Sequence, residues 1–316
     1  MTTKNMSSDF NKNKKKILSC IDRAKICNNS VSQMRSVMFA PVLKDKQSNA
    51  YKEFLKNDLV VKIKNGDDIL QIRNRFLTQL HRDVLDLMLI NADKKMFKGN
   101  ECVIAEFTEY EILRRLGHKN KRNTKWFRNI IRELQDISII LENAEKEISF
   151  HILKGYGISK KTGKHAVMFD DSYIKYFYTR DIGVSYKHLI NDIVALDSPI
   201  IKAIVRFILS NSFEKFRMSL VKILENIGIN KENTNERQYR RIIKIIKDNK
   251  VILKEKFNII LTDNDNVEYV KSDGILFYNV NKEQADGVLP ELIRNTEKEK
   301  KEKEPQKQAE NSQTIN

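Results

Sequence analysis

The chain has 316 residues and carries 58 Lys and Arg against 42 Asp and Glu, a formal charge of +16 in a length that allows two ordinary domains. No stretch approaches the ~18 consecutive apolar residues that cross a bilayer, and the charged first residues are followed by no apolar run of a signal peptide. Cys20, Cys27 and Cys102 are odd in number and irregularly spaced, so they make neither a disulfide framework nor a metal-ligand pattern, which points to the reducing cytoplasm.

Residues 1–30 are rich in Lys, Asn and Ser and read as a flexible basic N-terminus, with a short helix around Ile17 to Ile26. A first domain is expected over 31–182. In it, Leu59 to Lys64 and Ile69 to Arg73 flank Asn65-Gly66, a strand, a tight turn and a strand. Leu80 to Ala92 has a helical apolar period behind Thr78, its expected N-cap. Cys102 to Phe107 is a strand. Thr108 and Glu111 then form a capping box, and Gly117 ends the helix they open. The next helix spans about Asn123 to Gln135, and Ile137 to Leu141 with Ile148 to Leu153 makes a two-stranded wing. Ala166 to Phe169 is a third candidate strand, Tyr173 to Tyr178 a closing helix, and Asp181 to Tyr186 a linker.

The second domain, 186–288, opens its first helix with Ser198-Pro199 and runs it from Ile200 to Ser210. Phe216 to Met218 is a strand, Ser219 a cap, and Leu220 to Ile227 a helix. Thr234 caps the next helix, which reaches about Asp248. Val251 to Lys254, Ile259 to Leu261 and Val267 to Val270 form a wing with residues 262–266 at its tip. Residues 295–316 alternate Lys and Glu, lack packing residues and read as a disordered charged tail.

The two domains repeat one pattern. Ile112, Leu113, Leu116 and Gly117 match Ile223, Leu224, Ile227 and Gly228. With one extra loop residue, Phe127, Ile130, Ile131 and Leu134 then match Tyr239, Ile242, Ile243 and Ile246. Ile139, Ile140 and Leu141 match Val251, Ile252 and Leu253. Helix, strand, helix, helix and wing, twice over, predicts an α+β and predominantly helical protein of two tandem winged-helix domains.

The apolar face of each third helix takes the i, i+3, i+4, i+7 positions. That leaves Arg122, Asn123, Lys125, Arg128, Asn129 and Arg132 outward in the first copy. In the second it leaves Thr234, Arg237, Gln238, Arg240, Arg241 and Lys244. A basic face on one exposed helix is ordinary, but its recurrence on the same element of two copies points to duplex DNA. There Arg matches guanine, Asn or Gln matches adenine, and Lys holds phosphate. Lys160, Lys161 and Lys164, with His165, surround Gly163 in a basic turn suited to a minor groove or to plain solvation. Trp126 reads as a packing residue, with stacking on a sugar as the alternative.

No phosphate-binding glycine loop, dinucleotide fingerprint or nucleophile elbow occurs. His81, His118, His151, His165 and His188 make no metal-binding pair. No catalytic residue, metal or cofactor is therefore expected.

These residues resemble a family. Two winged helices behind an extended segment are similar to the iteron-binding initiators of theta-replicating plasmids. Within Asn74 to Leu89, Leu77, Gln79 or Leu80, and Asp83 stand near the Leu, Gln and Asp that enter the first helix of that group. Arg35 to Phe39 is similar to the short stretch that precedes it, and the resemblance spans roughly residues 31–285. It implies binding to direct repeats at an origin, opening of a nearby AT-rich region, and recruitment of the host initiator and helicase. It also implies a monomer that initiates and a homodimer that represses its own gene. A winged-helix transcriptional regulator is the alternative reading, with a nucleic-acid enzyme or an RNA-binding protein behind it.

Overall fold

A computed structural model describes residues 29–278, apart from 31–32, 35–36, 43–45, 47, 66–67, 98–99, 118–123, 180–182, 212, 231–233 and 274. The expected basic N-terminus, its short helix and the charged tail lie outside the described residues.

The first half starts with β1 (Asn29–Ser30) and α1 (Asn49–Lys56), whose N-cap Ser48 Oγ accepts from Tyr51 N. β2 (Val60–Asn65) and β3 (Asp68–Arg73) form the expected antiparallel pair. Thr78 opens α2 (Gln79–Ile90) with a capping box closed by His81. β4 (Ala92–Phe97) and β5 (Asn100–Thr108) follow. Then come α3 (Glu109–Arg115) and α4 (Thr124–Asp136), β6 (Ser138–Glu142), β7 (Glu147–Phe150), β8 (Leu153–Ile158), β9 (Lys164–Phe169) and α5 (Asp171–Thr179).

β10 (Gly183–Ser185) occupies the stretch expected to be a linker. It is the middle strand of a sheet, paired on one side with β1 and on the other with β14 (Leu276–Tyr278). The second half continues with α6 (Ile190–Val194), α7 (Pro199–Leu209), β11 (Lys215–Ser219), α8 (Leu220–Asn226), α9 (Glu236–Asp248), α10 (Lys250–Phe257), β12 (Ile259–Leu261) and β13 (Asn266–Val270).

The protein is mixed α/β, which corrects the expectation of a predominantly helical chain. The strands missed in sequence are short or polar. β4 carries Asp93, Lys94 and Lys95, and β1, β10 and β14 have two or three residues each, too few to display a period of two.

The sequence repeat becomes a repeat of topology. In the first copy β5 pairs with β9 and β9 with β8; in the second β11 pairs with β13 and β13 with β12, all antiparallel. The strand before each short helix thus joins the second strand of the later hairpin. The caps repeat as well: Thr108 Oγ1 accepts from Glu111 N at 3.2 Å, and Ser219 Oγ from Lys222 N at 3.3 Å. Gly117 and Gly228 follow the short helices with φ of +80° and +85°, a conformation cheapest for glycine.

Between the long basic helix and the hairpin the copies differ. The first inserts β6 and β7, which extend the β2–β3 sheet in the order β2-β3-β6-β7. The expected wing at 137–153 is therefore this hairpin, while β8–β9 holds the place that repeats in the second copy. The second copy inserts helix α10, which corrects the strand expected at Val251 to Lys254. Leu253 and Phe257, four apart, are buried there, whereas Val251 and Ile252 face solvent; Ile139, Ile140 and Leu141 are all buried, on β6, an inner strand of its sheet.

α2 and α7 pack at the centre. α2 was expected to bury one face, but Gln79, His81, Arg82, Asp83 and Asp86 are buried too. Arg206 of α7 satisfies three of them. Its Nη1 donates to Gln79 Oε1 (2.7 Å), its Nη2 to Asp83 Oδ1 (2.6 Å), and its Nε and Nη2 to Asp86 Oδ2 (3.2 and 3.0 Å). Lys202 Nζ donates to Asp83 Oδ2, and Arg82 Nε lies 2.9 Å from Asp86 Oδ1 with its guanidinium over the Phe39 ring. The stretch Asn74 to Leu89 is thus joined to the second half of the chain through Gln79 and Asp83.

Gly228 is also a close-packing point: a Cβ there would stand 2.2 Å from Val37 Cγ1, whereas one on Gly117 would meet open space. Gly117→Ala is expected to cost about 1 kcal/mol for the left-handed conformation, and Gly228→Ala about 2–3 kcal/mol because overpacking adds to it. Urea unfolding of the two variants checks the order, and equal losses would show that the Val37 contact yields freely.

Candidate nucleic-acid interface

Phe127, Ile130, Ile131 and Leu134 of α4 are all buried, as their spacing requires. Lys125, Asn129 and Arg132 are consequently exposed on the opposite side. Arg122 and Asn123 lie outside the described residues. Trp126 is half-buried and packs against the core.

Arg128 is not a free member of that face. Its Nε donates to Glu109 Oε1 (2.5 Å) at the start of α3, and the same oxygen lies 2.9 Å from His165 Nε2. His165 Nδ1 pairs with the Tyr156 hydroxyl at 2.9 Å, and the imidazole stacks on Phe107. His165 therefore belongs to the core under α4 and not to the basic turn beside it in sequence. Sequence could not show this, because the partners come from α3, α4 and β8.

Burial lowers the His165 pKa and the neighbouring Arg128 lowers it further, while Glu109 opposes both without overcoming them. A histidine with a lower pKa in the folded state binds fewer protons folded than unfolded. Its contribution to stability is complete above the ordinary value of about 6.5 and is lost as the pH falls below it. Glu133, held below its usual value by the hydrogen bond to His81, loses its contribution at lower pH, beneath about 4.5. The melting temperature should accordingly decline between about pH 7 and 5, and His165→Gln should flatten that decline. An unchanged profile in the variant would remove His165 as its source.

The β8–β9 turn carries Lys160, Lys161 and Lys164, all exposed. Ser159 N donates to Lys164 O (2.9 Å), Gly163 N to Ser159 O (2.8 Å) and Thr162 N to Ser159 Oγ (3.2 Å), with Gly163 at φ +67°. The turn is thus a defined structure that presents three cations, and β8 packs beside α4.

On α9, Arg237, Gln238, Arg240, Arg241 and Lys244 are exposed, as are Glu236, Lys247 and Asp248, with Thr234 half-buried before the helix. The N-cap is Asn235, whose side chain accepts from Gln238 N, which corrects the expected cap at Thr234. Ile242 and Ile246 are buried, but Tyr239 and Ile243, expected in the core, are only partly covered. Arg240 pairs with Glu236 one turn earlier, both well exposed. The second hairpin tip is acidic, with Asp263 and Asp265 exposed and Asp265 Oδ1 3.1 Å from Lys247 Nζ. It is unsuited to phosphate, unlike the first tip.

Among the described residues, the cations of the two long helices that meet no carboxylate are therefore Lys125 and Arg132, and Arg237, Arg241 and Lys244. No group of three or more His, Cys, Asp or Glu among the described residues is placed to hold a metal ion, and no helix among them is long and apolar enough to cross a membrane. Cys102 is a buried cysteine. No protein-family model matches the chain, and no curated protein matches it.

Proposed function

We propose that the protein is a sequence-specific binder of duplex DNA built from two tandem winged helices, and that it acts as a plasmid replication initiator. The observation that carries the DNA reading is the doubled unit: the strand order β5-β9-β8 recurs as β11-β13-β12 with the same caps and glycine turns, and each copy has a basic helix with exposed cations. A helix of this diameter enters the major groove. Two on one chain would take successive major grooves about one turn apart.

The initiator role rests on the family resemblance around Asn74 to Leu89 and Arg35 to Phe39. It brings with it direct repeats at an origin, recruitment of a host initiator and helicase, and a homodimeric state that represses. Footprinting the purified protein on its own source DNA, with competitor present, tests both levels. Protection of tandem direct repeats beside an AT-rich stretch is the expected result. Protection of a single inverted repeat over a promoter would replace the initiator with a transcriptional regulator, and no protection of duplex DNA would end the DNA reading.

A further inference from the structure

A groove of about 1200 Å³ opens beside the start of α9. Its lining includes Thr234, Gln238 and Arg241 of the second basic element, Lys62 and Arg73 of β2 and β3, and Lys56 at the end of α1. It exceeds the ~300–1,000 Å³ of ordinary small-molecule pockets, and cations from three elements line it. We propose that this groove is a second part of the DNA-contacting surface, where β2 and β3 take backbone phosphates of the duplex that α9 reads. The inference rests on the DNA reading above.

Register puts the two strand cations together. Lys62 lies opposite Gln71 and Val60 opposite Arg73, so Lys62 and Arg73 share a face as diagonal neighbours, roughly 7–8 Å apart. Arg73 is held in place without being neutralised directly: its Nη2 donates to Gln71 Oε1 (2.8 Å), and Gln71 Nε2 donates to Glu142 Oε2 (2.8 Å). Lys62 is exposed and meets no carboxylate among the described residues. Glu53 and Asp58 also line the groove, leaving four cations against two carboxylates. Arg241 is both exposed on α9 and part of the groove wall. A duplex seated on Arg237, Arg241 and Lys244 would therefore bring a flanking strand against β2 and β3. Phosphate contacts of this kind set register and affinity without reading sequence.

The test is fluorescence anisotropy of the full chain on a random-sequence duplex of about three helical turns, titrated across a KCl series. Wild type is compared with Lys62→Ala/Arg73→Gln and with Lys254→Ala, an exposed lysine on α10 outside the groove. Each lost phosphate contact removes about 0.9 from the slope of log affinity against log salt. The double variant should lose about 1–2 in slope and bind several-fold more weakly at the low-salt end, while Lys254→Ala keeps the wild-type slope. If the double variant melts below wild type, Lys62→Ala alone is read, with an expected loss of about 0.9. Wild-type slope and affinity in these groove variants would overturn the inference and leave the DNA reading standing. No duplex binding by wild type would remove the DNA reading, and the inference with it.

Discussion

Arg206→Met is expected to lower the melting temperature by on the order of 10 °C. Burial alone would favour a neutral guanidinium, but the carboxylates of Asp86 and Asp83 reverse this and raise the Arg206 pKa, so the side chain is held charged at the centre of the protein. Methionine fills similar volume but leaves Gln79 Oε1 without the 2.7 Å donor and Asp83 and Asp86 with fewer cations. Lys202 remains on Asp83 and Arg82 on Asp86, which limits the damage without preventing it. Removing one partner of a buried ionic cluster costs about 3–5 kcal/mol, and 1 kcal/mol moves the melting temperature of a unit of this size by about 2–4 °C. Arg206→Lys, which keeps the charge and loses the forked geometry, should fall between the two. Thermal unfolding followed by circular dichroism checks the series; a loss under about 3 °C for Arg206→Met would mean that the cluster relaxes by admitting water.

Arg132→Ala and Arg237→Ala are each expected to cost about 1–3 kcal/mol of specific DNA affinity, roughly tenfold to a hundredfold, where the side chain reads a base. Both are exposed, and neither is held by a carboxylate among the described residues. Arg128 and Arg240 stand on the same helix faces but pair with Glu109 and Glu236. Arg128→Ala should therefore show in stability before it shows in binding, since it also strips the carboxylate beside buried His165. Arg240→Ala should show a smaller binding loss than Arg237→Ala. Affinities for the footprinted site and for a scrambled duplex separate the outcomes. A loss shared equally by both duplexes makes the residue a phosphate contact, and no loss on either removes it from the interface.

Much of this was legible in sequence because it is local. Thr78, Thr108, Ser198 and Ser219 each cap the helix that their position announced, and Gly117 and Gly228 take the positive φ that ends the short helices. The outward residues of α4 and α9 follow from a period of 3.6 and needed no tertiary information. The repeat ends before Val251 to Leu253, an apolar triplet with no period of its own. Strand partners on both sides made Ile139 to Leu141 a strand, and burial of Leu253 and Phe257 made the other copy a helix.

The sequence by itself determined the basic charge, the duplicated unit and the helix faces that carry its cations, since composition, caps and apolar spacing act over a few residues. Only the tertiary structure decided which of those cations are free. It tied Arg128 to Glu109 from another helix, and withdrew His165 from the basic turn into the core. It also brought Lys62 and Arg73 to the lining of one groove with Arg241, more than 160 positions away in the chain. Charges paired over such distances in the chain leave no periodic trace, because the partner of a side chain is set by how the elements pack.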